Sequence, residues 1–354
     1  DWDCGGFGPD GQELTARWAL MYPDAYEVGL PNQGVMILYE VINERADALA
    51  ERTYAVWPDM EALLRSEGVS QFTVDGHRGL RDFDLFGVSF STELGYTNLL
   101  TALDLAGIPL HARDRGDDDP IVIAGGHAAF NPEPASDFID AAIVGDGEQA
   151  VLEVTDLLTA WKAQGRPGGR HEILLRLART GGVYVPAFYE VDYFPDGRIR
   201  RVAPSTHETG VPWRVAKHTV MDLDAWPYPK APLVPLAESV HERMSVEIFR
   251  GCTRGCRFCQ AGMITRRAAL AAGAATLASL DPVWSTANIT RNHGFMVYDT
   301  LYGLTAGLEP TPQMAAGHVV EEDGRRVTIT LRDGLAFHDG EPVRAGDVVA
   351  SLRR

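Results

Sequence analysis

Cys252-Thr253-Arg254-Gly255-Cys256-Arg257-Phe258-Cys259 sets three thiols within eight residues. Thiolates are soft ligands, suited to iron–sulfur clusters or to zinc. A structural zinc site takes four protein ligands, usually as two separated pairs. Only one triplet stands here, so a fourth zinc ligand would have to come from Cys4, His218 or His241. Three ligands on a four-iron cluster instead leave one iron open to a small molecule; zinc and inert thiols are the alternatives. Gly251 and Gly255 give the loop freedom, and Phe258 places an aromatic ring just before the last thiol. Arg250, Arg254 and Arg257 either offset the negative charge of a cluster or form a solvated basic face.

The elements that must position this loop begin far upstream. Residues 17–160 alternate short apolar runs with amphipathic stretches, the pattern of a doubly wound α/β domain with a parallel sheet. Strands are expected at Arg17–Tyr22, Tyr54–Trp57, Leu85–Phe90, Ile121–Ala124 and Ala141–Val144. Helices are expected at Val35–Ala50, Asp59–Ser66, Leu94–Ala106 and Glu148–Ala163, with Asp59 and Asn98 as N-caps. Ligands of such sheets bind at the carboxyl ends of the strands. There the chain carries Gly125-Gly126 and Gly145-Asp146-Gly147-Glu148. Glycines at strand ends let backbone approach a ligand, and the helix after Glu148 offers N–H groups. Gly125, Gly126, Gly145, Gly147 and Glu148 are therefore candidate cofactor-binding residues; turn chemistry alone is the alternative. Neither motif is a G-x-G-x-x-G, so a nicotinamide site is disfavoured.

Further on, Val183–Pro186 and Tyr189–Phe194 flank Asp196-Gly197, a hairpin signal. A Pro-rich connector follows from Ala203 to Leu236, and Ser245–Phe249 reads as a strand feeding the cysteine loop. The style then changes: Arg266-Arg267 precedes an uncharged run, Ala268–Leu280. As a helix that run spans about 20 Å, short of the roughly 30 Å of a hydrocarbon core. It has the length of a signal-peptide core in an internal position, or is a buried Ala-rich helix. Val327–Leu331 reads as a strand, Asp323-Gly324 and Asp339-Gly340 as turns, and Val343–Leu352 as the start of a helix. The domains expected are 1–165 (α/β), 166–244 (hairpin and connector), 245–265 (cluster loop), 266–280 (signal-like) and 281–354.

The bulk numbers bound the partners. The 354-residue chain is 45% hydrophobic and 23% charged, ordinary for a globular protein. A net charge of −17 argues against a broad DNA- or RNA-binding surface. Four cysteines, three of them clustered, do not form a secreted disulfide framework, so a cytoplasmic setting is expected. The chain opens Asp1-Trp2-Asp3, without an initiator Met, as if it began within a gene.

Residues 14–264 resemble the cobalamin-binding-domain radical S-adenosylmethionine proteins. The resemblance rests on Tyr22-Pro-Asp-Ala-Tyr-Glu27, Trp57-Pro-Asp-Met-Glu-Ala-Leu63 and Glu93-Leu-Gly-Tyr-Thr-Asn98. It continues through Ile123-Ala-Gly-Gly126, Phe130-Asn-Pro-Glu-Pro134, Gly145-Asp-Gly-Glu148 and Arg250 to Gly262. It implies a [4Fe–4S] cluster on Cys252, Cys256 and Cys259, with S-adenosylmethionine at the open iron and Phe258 in the cofactor site. It also implies a cobalamin-like sheet and an electron donor such as a ferredoxin or flavodoxin. One departure concerns cobalt: the Asp-x-His-x-x-Gly motif is missing, and Asp75-Gly-His77-Arg-Gly79 is its nearest approach, with the wrong spacing.

The second departure begins near Arg266, where the βα units of a radical-enzyme barrel should follow. Residues 266–354 instead resemble the opening of a periplasmic solute-binding protein of the peptide ABC-transporter class. The residues are Arg266-Arg-Ala-Ala-Leu-Ala-Ala-Gly-Ala-Ala275, Leu280-Asp-Pro-Val-Trp284, Tyr298-Asp-Thr-Leu-Tyr302, Leu331-Arg-Asp-Gly-Leu335 and Phe337-His-Asp-Gly-Glu-Pro342. The expectation is a chimera, with a radical-enzyme fragment in front and part of a binding lobe behind.

Overall fold

A computed structural model describes residues 14–230, 247, 250, 301–304, 310–321, 325–337 and 340–352. The chain divides into two compact units, 1–272 and 273–354. The expected strand at 245–249, the cysteine loop and the signal-like run lie outside the described residues.

The first unit is built on a six-stranded sheet. Its strands are β1 (Ala16–Tyr22), β2 (Ala48–Tyr54), β3 (Leu85–Ser89), β4 (Ile121–Gly125), β5 (Ala141–Ile143) and β6 (Val183–Tyr184). Their order is β2-β1-β3-β4-β5-β6, parallel except for β6. The parallel part has the 2-1-3-4-5 order of a doubly wound sheet, whose switch point lies between β1 and β3.

Successive side chains on a strand point to opposite faces, and both faces here are covered. Trp18 and Leu20 of β1, Ile121 and Ile123 of β4, and Ile143 of β5 enter one core. That core is closed by α2 (Gln33–Asn43), α5 (Glu148–Ala163) and α6 (Gly169–Ala178). Ala19, Met21, Phe86, Val88 and Val122 enter the other core, under α4 (Tyr96–Leu105), with α3 (Pro58–Glu67) beside α4. In α5 the buried residues Val151, Val154, Leu158 and Trp161 recur at helical spacing. A one-turn helix, α1 (Tyr26–Gly29), leads from β1 towards α2.

Several sequence expectations shift. The helix expected at Val35–Ala50 ends at Asn43, whose side chain bonds both the N–H and the carbonyl of Ala50. The next strand therefore runs 48–54 rather than 54–57. Pro58 occupies the first turn of α3 and Trp57 its N-cap, so Asp59 lies inside the helix. Asn98 lies inside α4, where its amide donates to the Pro23 carbonyl at 2.9 Å. The Asp196-Gly197 hairpin forms between β7 (Tyr189–Tyr193) and β8 (Ile199–Pro204), whereas Val183-Tyr184 joins the main sheet.

Edge strand β2 carries buried Glu51 and Arg52, and the segment 71–78 covers it. Asp75 accepts the Arg52 N–H at 2.6 Å and pairs with its guanidinium, while Thr73 Oγ1 donates to Glu51. Asp75-Gly76-His77 is thus a strap over a sheet edge, which natural sheets generally protect.

At the other end of the sheet a buried ionic node ties three segments together. Asp140 Oδ2 accepts from Arg115 Nη1 (2.7 Å), Arg170 Nη2 (2.9 Å) and the Val122 N–H (2.8 Å). Burial dominates at Arg115 and pulls its pKa below the usual arginine range despite Asp140.

In the second unit, β9 (Tyr302–Leu304) pairs antiparallel with β10 (Pro310–Pro312), and β11 (Ala315–Glu321) with β12 (Arg326–Leu331). A helix, α7 (Ala345–Leu352), follows. No parallel strand pair occurs among its described residues.

Removing one partner of a buried ion pair leaves an uncompensated charge, at a cost of about 3–5 kcal/mol. Asp140→Asn is expected to destabilise the first unit by about that much in urea unfolding. A loss below about 1 kcal/mol would show that the two arginines find other partners.

Candidate functional site

At the carboxyl end of the parallel strands a cleft of about 330 Å³ opens on the α2/α5 face. Its volume lies at the lower end of the roughly 300–1,000 Å³ of small-molecule sites. Trp18, Leu20, Ile123, Ile143 and Val151 give it an apolar floor. The start of α2 borders it, with Asn32 as N-cap accepting the Val35 N–H at 3.0 Å. The start of α5 borders it too, at Gly147 and Glu148. An apolar floor with a few polar groups at its rim is the usual form of a small-molecule site.

All five glycine-motif residues singled out from sequence, Gly125, Gly126, Gly145, Gly147 and Glu148, line this cleft. Their parts differ. Gly126 has φ +88°, and a Cβ there would lie 2.6 Å from the Phe90 carbonyl oxygen. Gly145 has φ +111°, and a Cβ there would lie 2.1 Å from the His218 carbonyl oxygen. Both therefore serve the passage of neighbouring chain. Gly125 is different: a Cβ would meet nothing within 4 Å, because the space beside it is the cleft.

Residues 217–220 run alongside the end of β5. The His218 N–H donates to the Val144 carbonyl (2.8 Å), and the Asp146 N–H donates to the His218 carbonyl (3.1 Å). The Val220 N–H donates to Asp146 Oδ2 (2.7 Å), fixing that carboxylate at the rim. His218 Nε2, considered above as a zinc donor, lies 2.5 Å from the Gly181 carbonyl oxygen.

The strongest electrostatic feature is one guanidinium among three carboxylates. Arg250 reaches Asp146 Oδ1 at 3.2 Å, Glu148 Oε1 at 2.5 Å and Glu247 Oε2 at 2.8 Å. Glu148 is only 3% exposed, and its place in the first turn of α5 also favours negative charge. Burial opposes the charge of Arg250, but the hydrogen bonds and charges of Glu247 and Glu148 outweigh it and hold its pKa above the ordinary arginine range. Of the two roles the sequence leaves open for Arg250, the solvated basic face does not hold, since carboxylates enclose its guanidinium. Sequence reasoning did not connect it to Asp146 and Glu148, about a hundred residues away. The short signal for Asn32, a helix-capping residue after Pro31, was available and went unused.

Cys252, Phe258, Cys256 and Cys259 lie outside the described residues, as do Cys4 and His241. Among the described residues no group of three or more His, Cys, Asp or Glu is arranged to hold a metal ion. No described helix is long and apolar enough to cross a membrane. His77, in the strap over β2, does not line the cleft.

Comparison with known proteins finds different relatives for the two parts of the chain. Residues 34–186 match the family model of radical SAM proteins, N-terminal. Residues 309–354 match that of bacterial extracellular solute-binding proteins, family 5, middle. A probable peptide ABC transporter periplasmic-binding protein from Sinorhizobium fredii is 46% identical over 78 residues in the C-terminal part, 22% of this chain and 15% of that protein. A glutathione-binding protein from Salmonella typhi is 34% identical over 76 residues, 22% of this chain and 15% of that protein. The chain thus spans a small fraction of the curated relatives it matches. A radical S-adenosylmethionine methyltransferase from Kitasatospora setae, solved with tryptophan and a SAM analogue, matches 51% of this chain and 29% of its own. That match has 14% identity and a TM-score of 0.29.

The contrast between the glycines is testable by urea unfolding. Gly145→Ala forces a side chain into left-handed backbone and is expected to cost about 1–3 kcal/mol. Gly125→Ala fills open cleft and is expected to stay within about 0.5 kcal/mol of the parent. Equal losses at the two positions would contradict the assignment of open space beside Gly125.

Proposed function

We propose that residues 14–264 are the forward part of a radical S-adenosylmethionine protein of the cobalamin-domain type. Behind its cluster loop is joined a segment of a peptide-type solute-binding protein, which makes the chain a chimera. The observation that carries the first part is the cleft. Five residues chosen from sequence border it, and Arg250, two residues before the first clustered thiol, is held at its rim. The family match over 34–186 supports the same lineage.

The donor set fits a [4Fe–4S] cluster: three closely spaced thiolates, soft and anionic, with one coordination position left over. Cys252, Cys256 and Cys259 would hold it, with Phe258 beside S-adenosylmethionine. When bound, the cluster supplies one low-potential electron to the sulfonium of S-adenosylmethionine, delivered in turn by a ferredoxin or flavodoxin. The protein's share is binding, orientation and exclusion of water and oxygen. The apolar floor of the cleft takes a flat organic group, the open side of Gly125 lets it approach the backbone, and Gly147 and Glu148 present the start of α5.

The cleft carries no feature that singles out cobalamin. The histidine that some cobalamin domains give to cobalt has no counterpart after β1, where the chain reads Pro23-Asp24-Ala25-Tyr26. No chemistry of cobalt is therefore assigned.

A second reading, an extracellular solute receptor, is favoured by the match at 309–354 and by the likeness of the C-terminal part to a peptide-transporter binding protein. The C-terminal matches to solute-binding proteins support a change of lineage after the cysteine loop.

Anaerobic reconstitution of the chain with iron and sulfide tests the reading. About four irons per chain are expected, with a paramagnetic resonance signal of the reduced protein that shifts when S-adenosylmethionine is added. Replacing Cys252, Cys256 and Cys259 by Ala should abolish both. Iron uptake that survives the triple replacement would overturn the assignment.

A further inference from the structure

We infer that the side chains of Asn43, Gln71 and Asp75 hold the outer edge of β2 closed, and that a second copy of this chain is the partner this edge takes once they are removed. The inference does not depend on the iron–sulfur reading, because every group it uses lies in the first unit.

Along a strand, successive residues turn their backbone N–H and C=O groups to opposite edges. The odd residues here face β1: the Asp47 carbonyl accepts the Ala16 N–H at 3.4 Å, and just past the strand the Ala55 N–H donates to the Asp24 carbonyl at 2.9 Å. The even residues of β2 therefore face outward, and β2 is the last strand of the sheet. Such an edge ordinarily offers a row of free donors and acceptors to another chain.

In this protein those groups are taken. The Ala50 N–H donates to Asn43 Oδ1 at 2.8 Å, and Asn43 Nδ2 donates to the Ala50 carbonyl at 3.1 Å. The Arg52 N–H donates to Asp75 Oδ2 at 2.6 Å, and the Arg52 carbonyl accepts the Val74 N–H at 2.8 Å. The Tyr54 carbonyl accepts from Gln71 Nε2 at 2.9 Å. All but the Val74 bond come from side chains, while residues 48–54 keep an unbroken strand register with β1. The edge is blocked, yet it retains the geometry of a strand that can pair.

Two copies related by a two-fold axis bring the same strand together antiparallel. With even residues opposite even ones, the axis passes through residue 50, 51 or 52. At residue 51 it sets Glu51 against Glu51, and at residue 52 it sets Arg52 against Arg52. Like charges directly opposite are destabilising. At residue 50 it sets Arg52 against Ala48 and Glu51 against Leu49, so that register is the one favoured.

The test is light scattering of the full chain on a sizing column, joined to hydrogen exchange of the β2 amides. Asn43→Ala combined with Asp75→Ala is expected to reach twice the parent's mass as concentration rises. At low concentration its Ala50 and Arg52 amides are expected to exchange about tenfold faster than in the parent, the loss of one ordinary hydrogen bond. At high concentration their protection is expected to return. Asp140→Asn loosens the sheet away from this edge and is expected to keep the parent's mass. If the double variant loses its circular dichroism, Asp75→Ala alone replaces it, with pairing expected at higher concentration.

A doubled mass with protection restored at residues 50 and 52 supports the inference. A monomer in which both amides exchange fast overturns it, because the edge is then open and takes no second copy. Association of Asp140→Asn as strong as that of the edge variant also overturns it, since loosening of any kind would suffice. A parent whose amides at 50 and 52 are unprotected contradicts the closed edge itself.

Discussion

A buried carboxylate requires a cation, and in this protein that requirement joins distant parts of the chain. Glu148 begins α5 with almost no access to water. Isolated, such a charge would be strongly destabilising; paired with Arg250 it becomes a tie. Through Asp146 and Glu148 the same guanidinium ties residue 250 to the carboxyl end of the sheet, while Glu247, three residues back, shares it.

The sheet makes that location available. In the 2-1-3-4-5 order the chain leaves β1 towards one face and β3 towards the other, so the strand ends part and a crevice opens. α2 and α5 flank the crevice on one face, with Trp18 and Leu20 forming its floor. At the amino end of the sheet Asp140 is held by Arg115 and Arg170.

The parallel core was legible because strands buried on both faces read as apolar runs: β1, β3, β4 and β5 lie within a few residues of their expected positions. β2 was misread because Glu51 and Arg52 look like helix surface, and their partners Thr73 and Asp75 sit in a strap that no local pattern announces. α6 was missed for a similar reason. It opens on Gly169-Arg170, and Arg170 is placed by Asp140, thirty residues away. The glycine motifs were legible through turn chemistry, yet sequence could not separate Gly125, which faces open space, from Gly145, which faces His218. The pairing of Arg250 with Glu148 spans 102 residues, and charge pattern alone could not reveal it.

The most direct measurement is a crystal structure of anaerobically prepared protein, with iron located by its anomalous scattering. The account predicts iron bonded to the sulfurs of Cys252, Cys256 and Cys259, with Arg250 still held by Glu148 at the rim of the cleft. Iron bound elsewhere, or a cluster on those thiols with Arg250 turned away from Glu148, would contradict it.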